Sequence, residues 1–96
     1  MGPFRVTSHL GDGWTIDRIR TYADDATAKE LSLDRDAFVD SGNGRVRLMP
    51  QAIVMVGGLI LVRHGGDWYM GEADEDGTVV CWSAYGTDLG EAIDGL

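Results

Sequence analysis

Cysteine, proline and long hydrophobic runs are all scarce in this sequence of 96 residues. The single cysteine, Cys81, excludes an internal disulfide. The main apolar run, Ala52–Val62, contains a Gly57-Gly58 pair and is too short for a membrane-spanning helix, which needs about 20 apolar residues. We also expect no signal peptide before Phe4. We therefore expect a cytoplasmic protein with no membrane segment.

Basic residues are also scarce. Eight bases stand against sixteen acids, which gives a formal net charge of −8. A chain of this charge is repelled by nucleic-acid phosphates and by anionic membrane surfaces, so we expect no direct contact with either. The simplest role of the acids is solubility, and the functional alternative is a basic protein partner.

Phosphate and calcium motifs are missing. Lys29 does not follow a glycine-rich loop, which excludes a P-loop. The acidic turn at residues 72–77 approximates the start of a calcium loop, but Ser83 stands at the twelfth position, where a bidentate Glu is required. Because no other segment offers a better pattern, we predict no cofactor.

The residues that could bind a metal or act as a nucleophile lie far apart. Cys81, His9 and His64 occupy three separate segments without the spacing of a metal site, so we predict none. A nucleophilic set of Cys81, His64 and Asp67 is the main enzyme hypothesis, and it ranks last. A thiol on a strand among apolar residues is usually inert packing.

The composition is that of one folded domain spanning residues 1–96. Hydrophobic residues make up 44% of the chain, as in ordinary globular proteins. Fourteen glycines without periodicity indicate many tight turns, which favours short strands over long helices.

The stretch from Ala52 to Tyr85 predicts two successive hairpins that supply most of the core. Residues 53–56 and 59–62 are apolar on both faces, as in strands buried from either side. Between them, Gly57-Gly58 forms either a turn or a kink at a bulge. Residues 64–67 are a tight turn, and residues 68–73 and 78–85 are the strands of the last hairpin.

Two registers are open for this last hairpin, with Tyr69 opposite either Trp82 or Ala84. The registers differ by an even number of residues, so both predict the same two faces. One face combines Tyr69, Gly71 and Ala73 with Val80, Trp82 and Ala84. The other combines Trp68, Met70 and Glu72 with Val79, Cys81 and Ser83.

The flanking segments are shorter elements. Residues 4–10 and 14–22 predict a hairpin, although Ile16, Ile19 and Ala23 are also spaced for one face of a helix. Residues 25–31 predict a short helix with an Asp cap. Residues 37–49 predict strand, turn and strand, with Arg45 and Arg47 on one face.

The C-terminal segment predicts a helix over residues 88–95 that docks on the sheet. Leu89, Ala92, Ile93 and Leu96 follow the helical spacing of one apolar face. Asp88 and Glu91 have the spacing of a capping box.

These elements predict an α+β fold. We expect a curved antiparallel β-meander, or a partly open barrel, of five to seven strands with a short helix near 25–31 and a C-terminal helix near 88–95. Such short helices cover only one face of the sheet. The second face then needs barrel closure, a partner or a homodimer.

The leading functional hypothesis is a small, acidic, non-enzymatic interaction protein, such as a bacterial regulator, inhibitor or immunity-type protein. It would act by occluding a partner protein. The alternative is a small-ligand-binding domain with an aromatic-lined pocket. The candidate interaction surface consists of four aromatic and four acidic residues: Trp68, Tyr69, Trp82, Tyr85, Glu72, Asp74, Glu75 and Asp76.

Overall fold

The structure is a computed structural model that describes residue 10 and residues 14–41 and 44–95. The predicted first strand, residues 4–10, lies largely outside the described residues. The elements follow one another as α1 (Ile16–Ala23), β1 (Lys29–Glu30), β2 (Ala37–Ser41), β3 (Gly44–Arg47), β4 (Ala52–Val56), β5 (Leu59–His64), β6 (Asp67–Ala73), β7 (Val79–Ala84) and α2 (Leu89–Asp94).

The seven strands form one sheet in the order β1-β4-β5-β6-β7-β2-β3. Among the residues that the structure describes, the sheet is mostly antiparallel and not closed, and with its two helices it confirms the predicted α+β class. Two pairings depart from a meander: β1 pairs with β4, and β2 runs parallel to β7 with Phe38 opposite Val80. Strands β4 to β7 are consecutive neighbours, and the β2–β3 hairpin attaches as a unit to their far edge.

The first helix lies at residues 16–23, where the sequence favoured a strand. The helical spacing of Ile16, Ile19 and Ala23 predominates over their strand propensity, because Ile19 is fully buried and the other two pack on the same core. Thr15 caps the helix, since its Oγ1 accepts a hydrogen bond from the Arg18 N–H at 3.1 Å.

The helix predicted near residues 25–31 is absent, and that prediction is wrong. Asp25 does not cap a helix; its Oδ1 accepts hydrogen bonds from the N–H and the Oγ1 of Thr27, at 2.9 and 2.6 Å. These bonds hold a turn, after which Lys29 and Glu30 pair with β4 as β1. A side chain that bonds the backbone two residues ahead competes with helix formation.

The C-terminal helix is confirmed as α2. Asp88 is its N-cap, and its Oδ1 accepts the Gly90 N–H at 2.9 Å. The predicted apolar residues Leu89, Ala92 and Ile93 are buried against the sheet.

Both sides of the central strands are buried, as their apolar sequence predicted, but by different means. On one side, α1 and α2 cover a cluster that includes Val54, Leu61 and Trp68. On the other, Ile53 and its strand neighbours pack with buried residues of β2 and β7 and with Leu48. The second face, for which the sequence left barrel closure, a partner or a homodimer open, is therefore covered by the chain's own strands.

A β-bulge in the last hairpin overturns the predicted division into two faces. Beyond the bulge, Tyr69 lies opposite Ala84, as one predicted register required. Near the turn, however, Gly71 lies opposite Cys81, so Trp82 is an extra residue on β7. A bulge shifts the alternation of side chains by one residue. Gly71 therefore shares a side with Cys81.

Candidate functional site

The four aromatic residues of the predicted interaction surface are not brought together. Trp68 is 0% exposed and belongs to the core beneath the helices. Tyr69 is half-buried against the opposite cluster. Tyr85 packs on the helix side, where a Cβ added to Gly95 would lie 2.7 Å from its ring. Trp82 is therefore the aromatic residue of this set that offers substantial surface.

Trp82 is 48% exposed and sits at the bulge. The bulge brings β6 and β7 so close that a Cβ at position 71 would overlap the Val80 carbonyl and would lie 2.5 Å from the Cys81 Cα. Glycine is thus required at position 71 by close backbone approach rather than by a positive φ. The result is a local geometry that redirects Trp82, which is a recognised role of bulges.

The four predicted acids do lie together. Glu72, Asp74, Glu75 and Asp76 are all exposed at the turn between β6 and β7, and we call them the acidic hairpin tip. The turn is closed by the Asp74 N–H, which donates to the Thr78 carbonyl at 2.7 Å.

One carboxylate of the tip, that of Asp76, stabilises the turn. Asp76 Oδ1 accepts the Thr78 N–H at 3.0 Å. Bonds from the Thr78 backbone and then its hydroxyl lower the pKa of Asp76. The turn therefore keeps this carboxyl charged over a wider pH range than a free aspartate.

Trp82 and the acidic hairpin tip are close along the same hairpin. Glu72 pairs with Val80, and Val80 is two residues from Trp82, a separation of about 7 Å along a strand. Trp82 and the acidic hairpin tip are therefore neighbours on this hairpin.

A shallow cavity, largely open to solvent, lies beside the tip, and the described residues that line it are Asp74, Glu75 and Asp76. The ligand-binding alternative predicted an aromatic lining. These residues are acidic, so this cavity gives that alternative no support.

The thiol and imidazole of the enzyme hypothesis do not meet. Burial raises the pKa of Cys81 to about 12, which leaves the thiol protonated and unreactive near neutral pH. His64 pairs with Asp67, whereas Cys81 pairs with Gly71. Asp67 and Gly71 are four positions apart along β6, which is a distance of about 13 Å.

His64 instead has a structural contact. Its Nδ1 accepts the Met49 N–H at 2.8 Å, and its ring lies edge-on to Tyr69 at 6.1 Å between centroids. The imidazole thus ties the segment before β4 to the β5–β6 turn. Among residues 10, 14–41 and 44–95, no group of three or more His, Cys, Asp or Glu is arranged to hold a metal ion.

A second exposed feature lies on the β2–β3 hairpin and was not among the predicted site residues. Arg45 and Arg47 share one side of β3, as their alternation predicted. Arg45 Nε lies 3.0 Å from Asp40, and Arg47 Nη2 lies 2.7 Å from Asp36. The Arg47 guanidinium also lies 5.7 Å from the Phe38 ring centroid. The alternating Arg-Val-Arg sequence was the signal available for this feature.

In the described part of the chain, no helix is long and apolar enough to cross a membrane.

No protein-family model matches the chain, and no curated protein or solved structure matches it significantly.

Proposed function

We propose that this protein is a non-enzymatic interaction module that binds a basic partner protein through Trp82 and the acidic hairpin tip. The observation that supports this most directly is the exposure of Trp82 at a bulge whose geometry requires glycine at position 71. A large aromatic side chain held at the surface by a specific backbone arrangement suits a binding contact.

The two parts of the surface would contribute differently to binding. Tryptophan is enriched among the residues that dominate interface energies, because it buries a large apolar area with little loss of conformational freedom. The acids would attract a basic partner and accelerate its approach, and this effect weakens as salt increases.

The mode of action that we propose is occlusion, as in a regulator or inhibitor that covers a functional surface of its partner. Neither the thiol nor the imidazole is arranged for catalysis, so binding alone has to produce the effect. We place the protein in the cytoplasm as part of this proposal, and its single buried thiol is compatible with a reducing compartment.

The test compares matched variants in affinity capture at physiological salt, with quantitative mass spectrometry of the retained proteins. Trp82→Ser is paired with Leu33→Ser, because both side chains are 48% exposed. Circular dichroism and a thermal melt establish that each variant is folded. We expect a specific basic protein to be retained by the wild type and by Leu33→Ser, and to be lost from Trp82→Ser.

The acidic part is tested with charge-matched pairs. Asp74→Asn combined with Glu75→Gln removes two charges from the tip, and Asp34→Asn combined with Glu91→Gln removes two exposed charges elsewhere. We expect the first pair to lower the association rate of the captured partner more than the second. Equal retention by all variants would contradict the proposed surface.

A further inference from the structure

The outer edge of β3 presents unpaired backbone groups in a regular pattern. In the part of the chain that the structure describes, β3 pairs with β2 alone. The Leu48 N–H donates to the Ala37 carbonyl at 2.8 Å. Since hydrogen-bonded and non-hydrogen-bonded pairs alternate along antiparallel strands, Val46 also bonds to β2, whereas Arg45 and Arg47 direct their N–H and C=O groups away from it.

The two residues of β3 with outward backbone groups, Arg45 and Arg47, are thus both arginines. Their side chains are 54% and 60% exposed and lie on the same side of the sheet. Each arginine uses a single nitrogen in its ion pair, Nε in Arg45 and Nη2 in Arg47. A guanidinium has five N–H donors, so both side chains retain capacity for another carboxylate.

The alternation of inward and outward backbone groups along β3 disfavours pairing of this edge with a second copy of the chain. A two-fold symmetric pairing of β3 with itself is antiparallel, and it has to place residues with outward backbone groups directly opposite one another. In every such register that pairs residues within β3, Arg45 or Arg47 would then face Arg45 or Arg47 of the other copy. Like charges directly opposite on a sheet are destabilising, and charged side chains are a known protection of sheet edges.

We propose that the β3 edge binds an extended acidic segment of another protein by strand addition, with the pattern acid–apolar–acid. The carboxylates would lie opposite Arg45 and Arg47, and the apolar residue would lie opposite Val46, which is 54% exposed. This site goes beyond the function proposed above, because it uses another surface and binds a segment of opposite charge.

Two kinds of contact would hold the segment. The outward N–H and C=O groups of the two arginines supply main-chain hydrogen bonds, and main-chain bonding is the basis of affinity in strand addition. The opposite-charge pairs supply the sequence preference and the antiparallel register. A lysine-containing strand is excluded by the same charges.

The test uses a peptide of about ten residues with Glu-Val-Glu at its centre, and amide hydrogen exchange of the wild-type protein measured by NMR. We expect the amides of Arg45 and Arg47 to gain protection on titration, whereas that of Val46, already bonded to β2, changes little. A Lys-Val-Lys peptide and a scrambled peptide with adjacent glutamates serve as controls. Equal protection by all three peptides would overturn the proposal.

Two variants separate the contribution of the Arg47 charge from that of the Arg47 backbone N–H. Arg47→Ala removes one charge and is expected to raise the peptide Kd by up to about fivefold. Arg47→Pro also removes the outward N–H while leaving the β2–β3 bonds possible, so we expect much weaker binding than for Arg47→Ala. Equal binding by the two variants, each confirmed as folded, would exclude strand addition.

The double reversal Arg45→Glu with Arg47→Glu is expected to bind the Lys-Val-Lys peptide and to reject the Glu-Val-Glu peptide. Protection of the Arg45 amide that increases with protein concentration alone, without peptide, would identify a second copy as the occupant and overturn the proposal. Absence of any protection by the Glu-Val-Glu peptide would overturn it as well.

Discussion

At the scale of single residues, the two tryptophans of the last hairpin have opposite environments. Trp68 is 0% exposed, and Trp82 is 48% exposed. We expect Trp68→Ala to lower the free energy of unfolding by about 3–5 kcal/mol, because it leaves a cavity in the core. Trp82→Ala should change it by no more than about 0.5 kcal/mol. Urea denaturation followed by circular dichroism measures both, and similar losses for the two variants would contradict the assigned environments.

Gly71 is the residue on which the bulge depends. A methyl group there would overlap the Val80 carbonyl, so we expect Gly71→Ala to cost about 1–3 kcal/mol, in the range of overpacking. Rearrangement of the bulge should also alter the emission of Trp82 and its quenching by acrylamide.

Gly58→Ala is the matched control for this prediction. Gly58 has a φ of +85° with no atom within 4 Å of an added Cβ, so its substitution strains the backbone of a turn without touching the bulge. It should destabilise the protein without changing the signal of Trp82. An unchanged Trp82 signal in Gly71→Ala would show that the bulge does not depend on glycine.

At the scale of elements, one carboxylate joins the segment after α1 to the β4–β5 turn. Asp25 Oδ2 accepts the Gly57 N–H at 2.7 Å, and its other oxygen accepts from Thr27. The hydroxyl of Thr27 and then these backbone N–H groups lower the pKa of Asp25. A pKa that is lower in the folded state makes folding more favourable above the unfolded pKa, and this stabilisation is lost as the pH falls through the folded pKa.

We therefore expect Asp25→Asn to be less stable than the wild type at pH 7 and to lose less stability on acidification from about pH 5 to pH 2. Thermal melts across this pH range provide the measurement. Asp34→Asn is the control, because the Asp34 carboxylate accepts a hydrogen bond from the hydroxyl of Ser32, two residues away, which is a local contact. An acid dependence that is the same in Asp25→Asn and in the wild type would refute the role of this contact.

At the scale of the whole molecule, the net charge of −8 acts against the compact state through self-repulsion. The salt bridges Arg20–Asp17, Arg45–Asp40 and Arg47–Asp36 are exposed and contribute little to stability. We expect the melting temperature to rise with potassium chloride up to about 0.1 M, where the screening length is about 10 Å.

The variant with Asp74→Asn and Glu75→Gln tests this explanation. Its net charge is −8 + 2 = −6, so its melting temperature should rise less with salt than that of the wild type. A melting temperature that falls as salt is added would mean that attractive ion pairs outweigh the repulsion.

The parts of the fold that could be predicted depend on local patterns. Apolar runs on both sides of Gly57-Gly58 indicated strands buried on two faces, and the structure places β4 and β5 there. The helical spacing at Leu89 with a cap at Asp88 indicated α2. Residues 14–23 fitted both a strand and a helix, and the burial of Ile19 decided for the helix. Residues 25–31 were predicted as a helix, but the bonds from Thr27 to Asp25 and the pairing of β1 with β4 replace it.

Of the candidate site, only the exposure of the acidic residues could be predicted from the sequence, because these residues belong to a single turn. The acids at residues 72–76 are consecutive or nearly so, and a polar turn between two strands places them at the surface regardless of packing. Trp68 and Trp82 could not be assigned in this way. Trp68 is buried because it lies in the cluster that the two helices cover, whereas the exposure of Trp82 depends on a bulge that shifts the alternation by one residue.

The sequence by itself determined the class of the fold, the main hairpins, the C-terminal helix and the acidic character of the surface. These follow from periodicity, turn residues and charge, which act over a few residues. Only the tertiary structure decided that β2 lies parallel to β7, that the second sheet face is buried by the protein's own strands, and that Trp82 is exposed. These features depend on contacts between distant segments and on the close approach of Gly71 to Val80, and no local pattern contains such distances.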